Sequence, residues 1–554
     1  MSDKFADEVA TLVYSKYYGL GKQALPKSHF EWTHVAAFLV YDRSPKEHHT
    51  ALKLLCLGAG TKCLGASQIS PNGTSINDSH AEVLARRGFI YVLLNEMRSL
   101  KKGNRAMIAS FWCYSGCQHY CKTGADDDVQ SLVGLGCTKL ILNPNLHLIF
   151  FTSNVPCGDA TICEKTDSVA KCCVPGSSDV SLEAQVYRGI DGIPLAKIRR
   201  ARAEASISPI SNEITFAKSN EICSVIDNGD YRITDSRNND YTVTNSLSSS
   251  AAEGYQSVTT PIDNVNSSVG TLSRVCKVFT RSCKDDSERQ CMGHSHNRDI
   301  HRTGAKPTSN SQPDPLGSGV GFHATGTFRT KPGRGEQTLS MSCSDKLLKW
   351  CAIGVQGSLL AAFLNEPIFI HEIIIGGETD KFSISAVKRA FWKRLEPKVT
   401  NSLYGSCGRI YDTNPCRPEL RHTSVLFRFG PGSSGRHIHD RKPMPESVIW
   451  NCVNDRGCEI IVNGYLQGVT KKHRHKSKSW SVHCRYNIAS MVMDCLSVSL
   501  PQDDTLCFKS LPSTYIDLKA QAVEYRKAWT KLKLLVEHWI NDQRKLDVQQ
   551  FAIG

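Results

Sequence analysis

Three short runs in this chain bring together residue types that can hold a metal ion and move a proton. Asn77-Asp78-Ser79-His80-Ala81-Glu82 opens into VLARRGFIYVLLNEM, which has helical periodicity, so His80 and Glu82 fall in a first helical turn that Asp78 or Ser79 can cap. Pro156-Cys157-Gly158-Asp159-Ala160 follows a strand-like segment, which puts Cys157 where helix-terminal N–H groups would favour a thiolate. His-x-Glu followed by Pro-Cys is an arrangement in which imidazole and thiolate hold zinc while the carboxylate, which is not a ligand, shuttles protons. The usual second Cys of that arrangement is replaced here by Ala160. Catalytic zinc needs three protein ligands and a water, so a remote ligand must complete the set. Cys343, in Ser342-Cys343-Ser344-Asp345-Lys346 before an apolar helix, has the same local setting as Cys157, while Cys163, Cys172 and Cys173 compete on nearness.

The elements that must carry these residues alternate in type. Residues 5–18 read as an amphipathic helix, 33–41 as a buried strand, 80–100 as a long helix and 146–153 as a strand; later, 344–364 reads as a helix, 367–375 as a strand and 515–540 as a long helix. Strands alternating with helices predict an α/β layered core. The middle of the chain differs: residues 231–270 hold 18 Ser, Thr or Asn in 40 positions, with neither helical nor strand periodicity. Such composition cannot bury enough apolar surface to offset its ordering entropy. The expected plan is one domain built from 1–165 and 319–554, interrupted by a disordered insertion over 166–318 whose far edge is the Gly-Ser-Gly run at 317–319.

Composition narrows the setting. With 554 residues the chain has room for a large core. Its 23 Cys, spread over that length without an export signal, predict free thiols and an intracellular protein of the nucleus or cytoplasm. No apolar run approaches the roughly 18 residues of a membrane span. Subtracting 53 acids from 67 bases leaves +14, which favours a polyanionic partner. Nothing in the residues calls for an obligate protein partner.

At this point the motifs reach a resemblance. NDSHAEVLARR at 77–87, VPCGDA at 155–160, and MSCSDKLLKW with IGVQGSLL at 341–360 resemble the deaminase domain shared by the RNA-editing adenosine deaminases and the tRNA adenosine deaminases. HFEWTHVAAF at 29–38, HRTGAK at 301–306 and KPGRGEQTLSMSCSDK at 331–346 are most similar to the tRNA-acting members. The resemblance implies a cytidine-deaminase-like α/β/α core enlarged by family-specific helices. It makes His80, Cys157 and Cys343 the zinc ligands and Glu82 the general acid/base. The implied reaction turns adenosine into inosine: hydroxide attacks C6 while Glu82 carries protons to purine N1 and to the leaving amine. The implied target is position 37, beside the anticodon of tRNA-Ala.

The same resemblance implies a buried inositol hexakisphosphate. Its matching positions are Asn77, Arg86 and Arg87 in the first motif; Lys346, Lys349, Trp350, Gln356 and Ser358 after Cys343; and Tyr515, Lys519, Tyr525 and Trp539 near the C-terminus. Lys349 stands where many relatives have Arg, and Trp529 where the long-RNA editors have Lys. A polar relay from this anion to the metal is implied at Asp78, Lys331, Lys346 and Ser358. RNA contacts are implied at Gly60, Thr61, Lys62, Lys331, Arg334 and Glu336. TKKHRHKSK at 470–478 is a further phosphate-binding or nuclear-import candidate read from charge. Two rivals stand beside this reading. An editor of double-stranded RNA is disfavoured because only about 30 residues precede the core, too few for appended double-stranded-RNA-binding domains; a silent zinc-containing RNA-binding protein would have no need of Glu82.

Overall fold

The computed structural model describes residues 3–28, 30–43, 52–101, 112–114, 140–165, 299–333, 336, 338–396, 417–431, 441–454, 457–497, 512–536, 539–540 and 550–553, with short strands between 216 and 278. The chain divides into two units, one of Met1–Ser168 with His296–Gly554 and one of Val169–Ser295.

In the larger unit the elements used below are α1 (Lys4–Tyr18), β1 (Val35–Asp42), β2 (Lys53–Ala59), β3 (Thr61–Cys63), β4 (Asp78–His80), α2 (Ala81–Lys101), β5 (Leu146–Thr152), β6 (Lys306–Pro307), β7 (Arg329–Thr330), α3 (Cys343–Ile353), α4 (Gly357–Ala361), β8 (Glu372–Ile375), β9 (Glu419–His422), β10 (Ser447–Asn451), β11 (Cys458–Val462), β12 (Tyr465–Leu466), α5 (Arg485–Ser497), α6 (Tyr515–Ala520) and α7 (Val523–Leu535). Eight strands form one mixed sheet in the order β9-β8-β5-β1-β2-β10-β11-β12. β5, β8 and β9 run parallel, and β5, β1, β2, β10 and β11 alternate in direction.

Side-chain alternation along β1 builds the layers. Ala36, Phe38 and Val40 pack with Ala85 and Phe89 of α2, the Phe38 and Phe89 rings stacked at 4.6 Å. Val35, Ala37 and Leu39 face the other way, onto Ala6, Val9 and Val13 of α1. The sheet is thus sandwiched between helices, the α/β/α architecture the alternating elements predict. Among the described residues no helix is long and apolar enough to cross a membrane.

Three expected elements are interrupted. The 344–364 helix ends at Ile353 because Gly354, at φ 82°, turns the backbone, and α4 restarts at Gly357. The 367–375 strand begins only at Glu372: the amide of Ile368 is taken by the Gln356 side chain, and the first ladder bond to β5 is that of the His371 amide to the Leu148 carbonyl. The 515–540 helix is two helices, broken at Gln521–Ala522.

The insertion boundary also moves. Residues 299–318 belong to the larger unit: Glu164 bridges to Ile300, β6 pairs with β7, and Ile300, Ala305 and Thr308 are buried. Asp314 holds the fully buried Arg329 through two bonds of 2.8 and 2.5 Å, a pairing between residues too far apart in sequence for periodicity to reveal. Most of Val169–Ser295 lies outside the described residues. Where it is described, segments 216–218, 221–225, 231–235 and 240–243 form an antiparallel ladder, the last two of them within the 231–270 stretch read as lacking strand periodicity. Tyr231, Ile233, Tyr241 and Val243 supply the β-formers that the Ser/Asn content masked.

The close seating of α2 on β2 gives a test of the fold. A Cβ at Gly58 would lie 2.5 Å from the Ala85 amide nitrogen and from Leu84 Cβ, and 2.7 Å from the Ala81 carbonyl oxygen. Backbone atoms cannot rotate away, so Gly58→Ala is expected to cost about 1–3 kcal/mol and to lower the thermal midpoint by several degrees. An unchanged midpoint would contradict this seating.

Candidate active site and metal centre

β3 and β4 pair so that Thr61 faces His80, Lys62 faces Ser79 and Cys63 faces Asp78. His80 is therefore the last residue of a strand, and α2 starts one residue later, with Glu82 buried in its first turn. Cys157 follows β5 in a tight turn leading only to a single 3-10 turn, Asp159–Thr161, so the helix expected there does not form. The helix-terminal N–H comes from elsewhere: the amide of Cys343, at the start of α3, points at Cys157 Sγ across 3.4 Å. Ser342 caps α3 by accepting from the Asp345 amide, and Asp345 in turn accepts from Arg394 and from the Arg329 amide. Ser344 stitches the two thiol segments together, donating its hydroxyl to the Pro156 and Cys157 carbonyls and accepting from the Ala160 amide. Gly158, at φ 112°, has Ser342 where a side chain would go.

His80, Cys157 and Cys343 come together with ligand atoms all within 4.8 Å of one another. His80 Nδ1 lies 3.8 Å from Cys157 Sγ and 3.7 Å from Cys343 Sγ. Tetrahedral zinc with bonds of roughly 2.0–2.3 Å would set such N···S separations at about 3.6 Å, so the donor set fits. A hydrogen bond from the Cys343 side chain, together with His80 and Lys331, holds the Cys157 thiol well below its ordinary range against the cost of burial. Burial and the neighbouring Cys157 push Cys343 up. The pair therefore shares one proton, which a bound dication would displace. Of the rival ligands, Cys163 points to the Lys381 carbonyl instead, and Cys172 and Cys173 lie outside the described residues.

Behind the metal ligands sits a buried charge cluster. Lys331 Nζ donates to both oxygens of Asp78, at 3.0 and 2.8 Å. Lys346 and the Ser340 hydroxyl also bond Asp78 Oδ2, and Lys346 donates to Ser340 at 2.6 Å. Burial alone would raise the Asp78 carboxyl, but the two ammonium groups hold it well below the usual range. Lys331 is fully buried in that pair, so it has no exposed surface to offer RNA. Ser340, missed in the sequence although it lies inside the KPGRGEQTLSMSCSDK motif, is the hydroxyl in this set. Ser358 is on α4, outside it.

Lys346 also lines a cavity of about 180 Å³ together with Asn77, Asp78, Arg87, Arg485 and Trp539. Arg485, at the start of α5, is a second member that sequence reasoning missed. Arg87 donates to the His483 carbonyl at 2.8 Å, while its Nε is buried without a partner among the described residues. Arg86 donates to the Val355 carbonyl at 2.8 Å and lies 5.7 Å from the Trp350 ring. Lys349 points its ammonium at the Trp529, Tyr525 and Trp539 rings, at 3.6, 5.7 and 6.0 Å. Lys519 lies 5.5 Å from the Tyr515 ring; its ammonium is pushed down to about 8 by burial and by Arg485, Arg526 and Lys533. Burial, with Arg485 beside it, lowers Arg87 to about 10. Gln356 is committed to backbone, donating to Ile353 O and accepting from Ile368 N.

On the RNA-facing expectations, Glu336 accepts from the amide and hydroxyl of Ser67, at 2.9 and 2.8 Å, tying two loops together. Thr61 Oγ1 is buried without a partner, Lys62 sits beside it on β3, and Arg334 lies outside the described residues. The 470–478 run forms exposed short turns.

The adenosine-deaminase (editase) domain profile matches residues 56–542. Over nearly its whole length the chain is similar to tRNA-specific adenosine deaminase 1 of Mus musculus, 27% identical across 95% of this chain and 96% of the relative, and to that of Homo sapiens, 27% identical across 97% and 98%. It is also similar to the double-stranded RNA-specific editase Adar of Drosophila melanogaster, 46% identical over 43 residues, or 8% of this chain and 6% of the relative.

Two outcomes follow from the geometry. Cys157→Ala and Cys343→Ala should each lose bound metal by elemental analysis, while Glu82→Gln should keep metal and fold but lose at least about 100-fold in turnover; full activity in Glu82→Gln would reject its role. The second concerns Lys519. Its folded value, about 8, lies below the ordinary 10.5, so the penalty of charging it is complete below pH 8 and disappears as pH rises toward 10.5, where the unfolded chain too is neutral. In anion-free protein Lys519→Gln should therefore melt above wild type at pH 7, with the gap closing between pH 8 and 10.5.

Proposed function

We propose, for a chain that belongs to the adenosine-deaminase (editase) family, zinc-dependent hydrolytic deamination of adenosine to inosine in tRNA at position 37, next to the anticodon of tRNA-Ala. That the chain is an adenosine deaminase follows from the family match; the tRNA target rests on the full-length similarity to tRNA-specific adenosine deaminases. The observation that carries the chemistry is the convergence of His80, Cys157 and Cys343 beside the first turn of α2, which presents Glu82. Zinc on those three ligands would supply a water of lowered pKa. Glu82 would take the proton of the attacking water, deliver it to purine N1 and return one to the departing amine. An anticodon-loop base enters such a pocket at less unpairing cost than a base in a duplex. Lys62 would meet phosphate, Thr61 a ribose hydroxyl, and Arg334 and Glu336 would border the bound loop.

The cationic cavity supports inositol hexakisphosphate as a buried structural ligand. Arg87, Arg485 and Lys346 line it, Lys519 feels Arg485, Arg526 and Lys533, and phosphate oxygens would accept the Arg87 Nε–H, which has no partner among the described residues. Through Lys346, Ser340 and Asp78 that ligand would be coupled to Lys331 and the thiol pair.

Purified protein is incubated with total tRNA and with a long perfect RNA duplex, and inosine is read as guanosine. Conversion is expected beside the anticodon, faster on whole tRNA than on a bare anticodon stem-loop. Conversion scattered through the duplex and absent from tRNA would favour a long-RNA editor, and none in either would favour a silent RNA-binding protein.

A further inference from the structure

His34 has no task in this scheme, yet it stands at the wall of the reaction centre. It directly precedes β1, where Ala36 and Phe38 face α2 while Val35 and Ala37 face α1. A period of two puts the His34 side chain on the α2 face. Its carbonyl accepts from the Gly60 amide at 3.1 Å, and the Gly60 carbonyl accepts from the Ala81 amide, the first residue of α2, at 3.0 Å. Val35 donates to Ser153 Oγ at 2.9 Å and accepts from the Ser153 amide at 2.8 Å, on the segment that leads to Cys157. The His34 backbone is thus tied to the two segments that deliver His80, Glu82 and Cys157.

Its Nδ1 is buried with no hydrogen-bond partner among the described residues, as is Thr61 Oγ1 on the strand residue that pairs with His80. Two such orphaned polar atoms, on backbone segments joined through Gly60, call for a ligand that hydrogen-bonds both. An imidazole can carry its proton on Nδ1 and so donate from that atom to such a ligand.

We propose that His34 is a specificity-determining residue that donates a hydrogen bond to a ring nitrogen, N3 or N7, of the target purine. This rests on the adenosine-deaminase reading above and names a contact at that same site. Purines present these acceptors away from the reacting N1–C6 edge; a pyrimidine in the same position does not, and a site built around such a bond rejects ligands that cannot make it.

The test is a cycle on ligated tRNA carrying adenosine, 3-deazaadenosine or 7-deazaadenosine at the target position, with wild type and His34→Leu. His34→Leu is expected to keep metal content and unfolding midpoint but to lose at least about tenfold in kcat/KM on adenosine. One of the two deaza substitutions should cost the wild type a similar factor and cost His34→Leu nothing further. Should the Leu variant not fold, His34→Gln, which can still donate, should retain both activity and deaza sensitivity; retained activity without that sensitivity overturns the proposal. Equal deaza penalties in wild type and His34→Leu, or unimpaired turnover by His34→Leu, also overturn it while leaving the adenosine-deaminase reading standing. A wild type inert on ordinary adenosine in every RNA offered overturns both.

Discussion

Asp78 has to be an anion, and the centre is organised around that requirement. Stripping water from a carboxylate costs several kcal/mol, recovered only when opposite charge and hydrogen bonds surround it closely. Here the compensation comes from Lys331, Ser340 and Lys346, more than 250 positions away in sequence. Asp78 lies two residues before His80, and Lys346 three residues after Cys343. The ion pairs therefore fix the β3–β4 unit against the start of α3, and with it the spacing of imidazole and thiol. Lys331 feels Asp78, Cys343, Cys157 and Glu82 together, and these keep it charged despite complete burial. Removing either side of this cluster would leave an unpaired buried charge next to His80 and the thiol pair, so it is at once a structural tie and the electrostatic setting of the candidate site.

What could be read in the sequence was what is local. The amphipathic pattern of α1, the apolar runs of β1 and β5 and the long α2 are stated by neighbouring residues, and the structure has them at nearly the expected bounds. His80 and Glu82 were legible because two short-range facts coincide: metal-type residues and the first turn of a helix. Cys343 needed more, since spacing alone left Cys163, Cys172 and Cys173 in competition; the family motif singled it out, and the β5–α3 contact through Ser344 explains the choice physically. Ser340, Arg485 and His34 were illegible for a common reason. Each is an ordinary polar residue whose surroundings are supplied by distant segments, and no periodicity encodes that. The breaks at Gly354 and Gln521–Ala522 were missed because apolar spacing continued across them while the backbone did not.

The order of the sheet explains why a long insertion is tolerable where it lies. Cys157 follows β5, and His80 closes β4, which pairs with β3 directly after β2. Chain departs after Lys165 and returns at Asp299, and those two residues are bonded to each other through the Lys165 amide and the Asp299 carbonyl at 2.9 Å. With its ends held together, a loop of any length adds only slowly growing closure entropy. Length there can change without moving Cys157 or Cys343.

The cavity behind α2 poses the opposite problem, too much like charge in one place. Two departures from the pattern that the resemblance implies, Lys349 for Arg and Trp529 for Lys, meet beside Trp539, one of the cavity's lining residues: the Lys349 ammonium lies 3.6 Å from the Trp529 ring and 6.0 Å from that of Trp539. A cation that would have repelled Lys349 is replaced by a π face that attracts it, an exchange worth about 0.5–2 kcal/mol depending on exposure. The two substitutions thus make one physical change. The change does not reach Lys519, still crowded by Arg485, Arg526 and Lys533 and carrying a lowered affinity for its proton as the sign of it. Negative charge placed beside Lys519 would raise that affinity again, since an opposite charge favours the ammonium form.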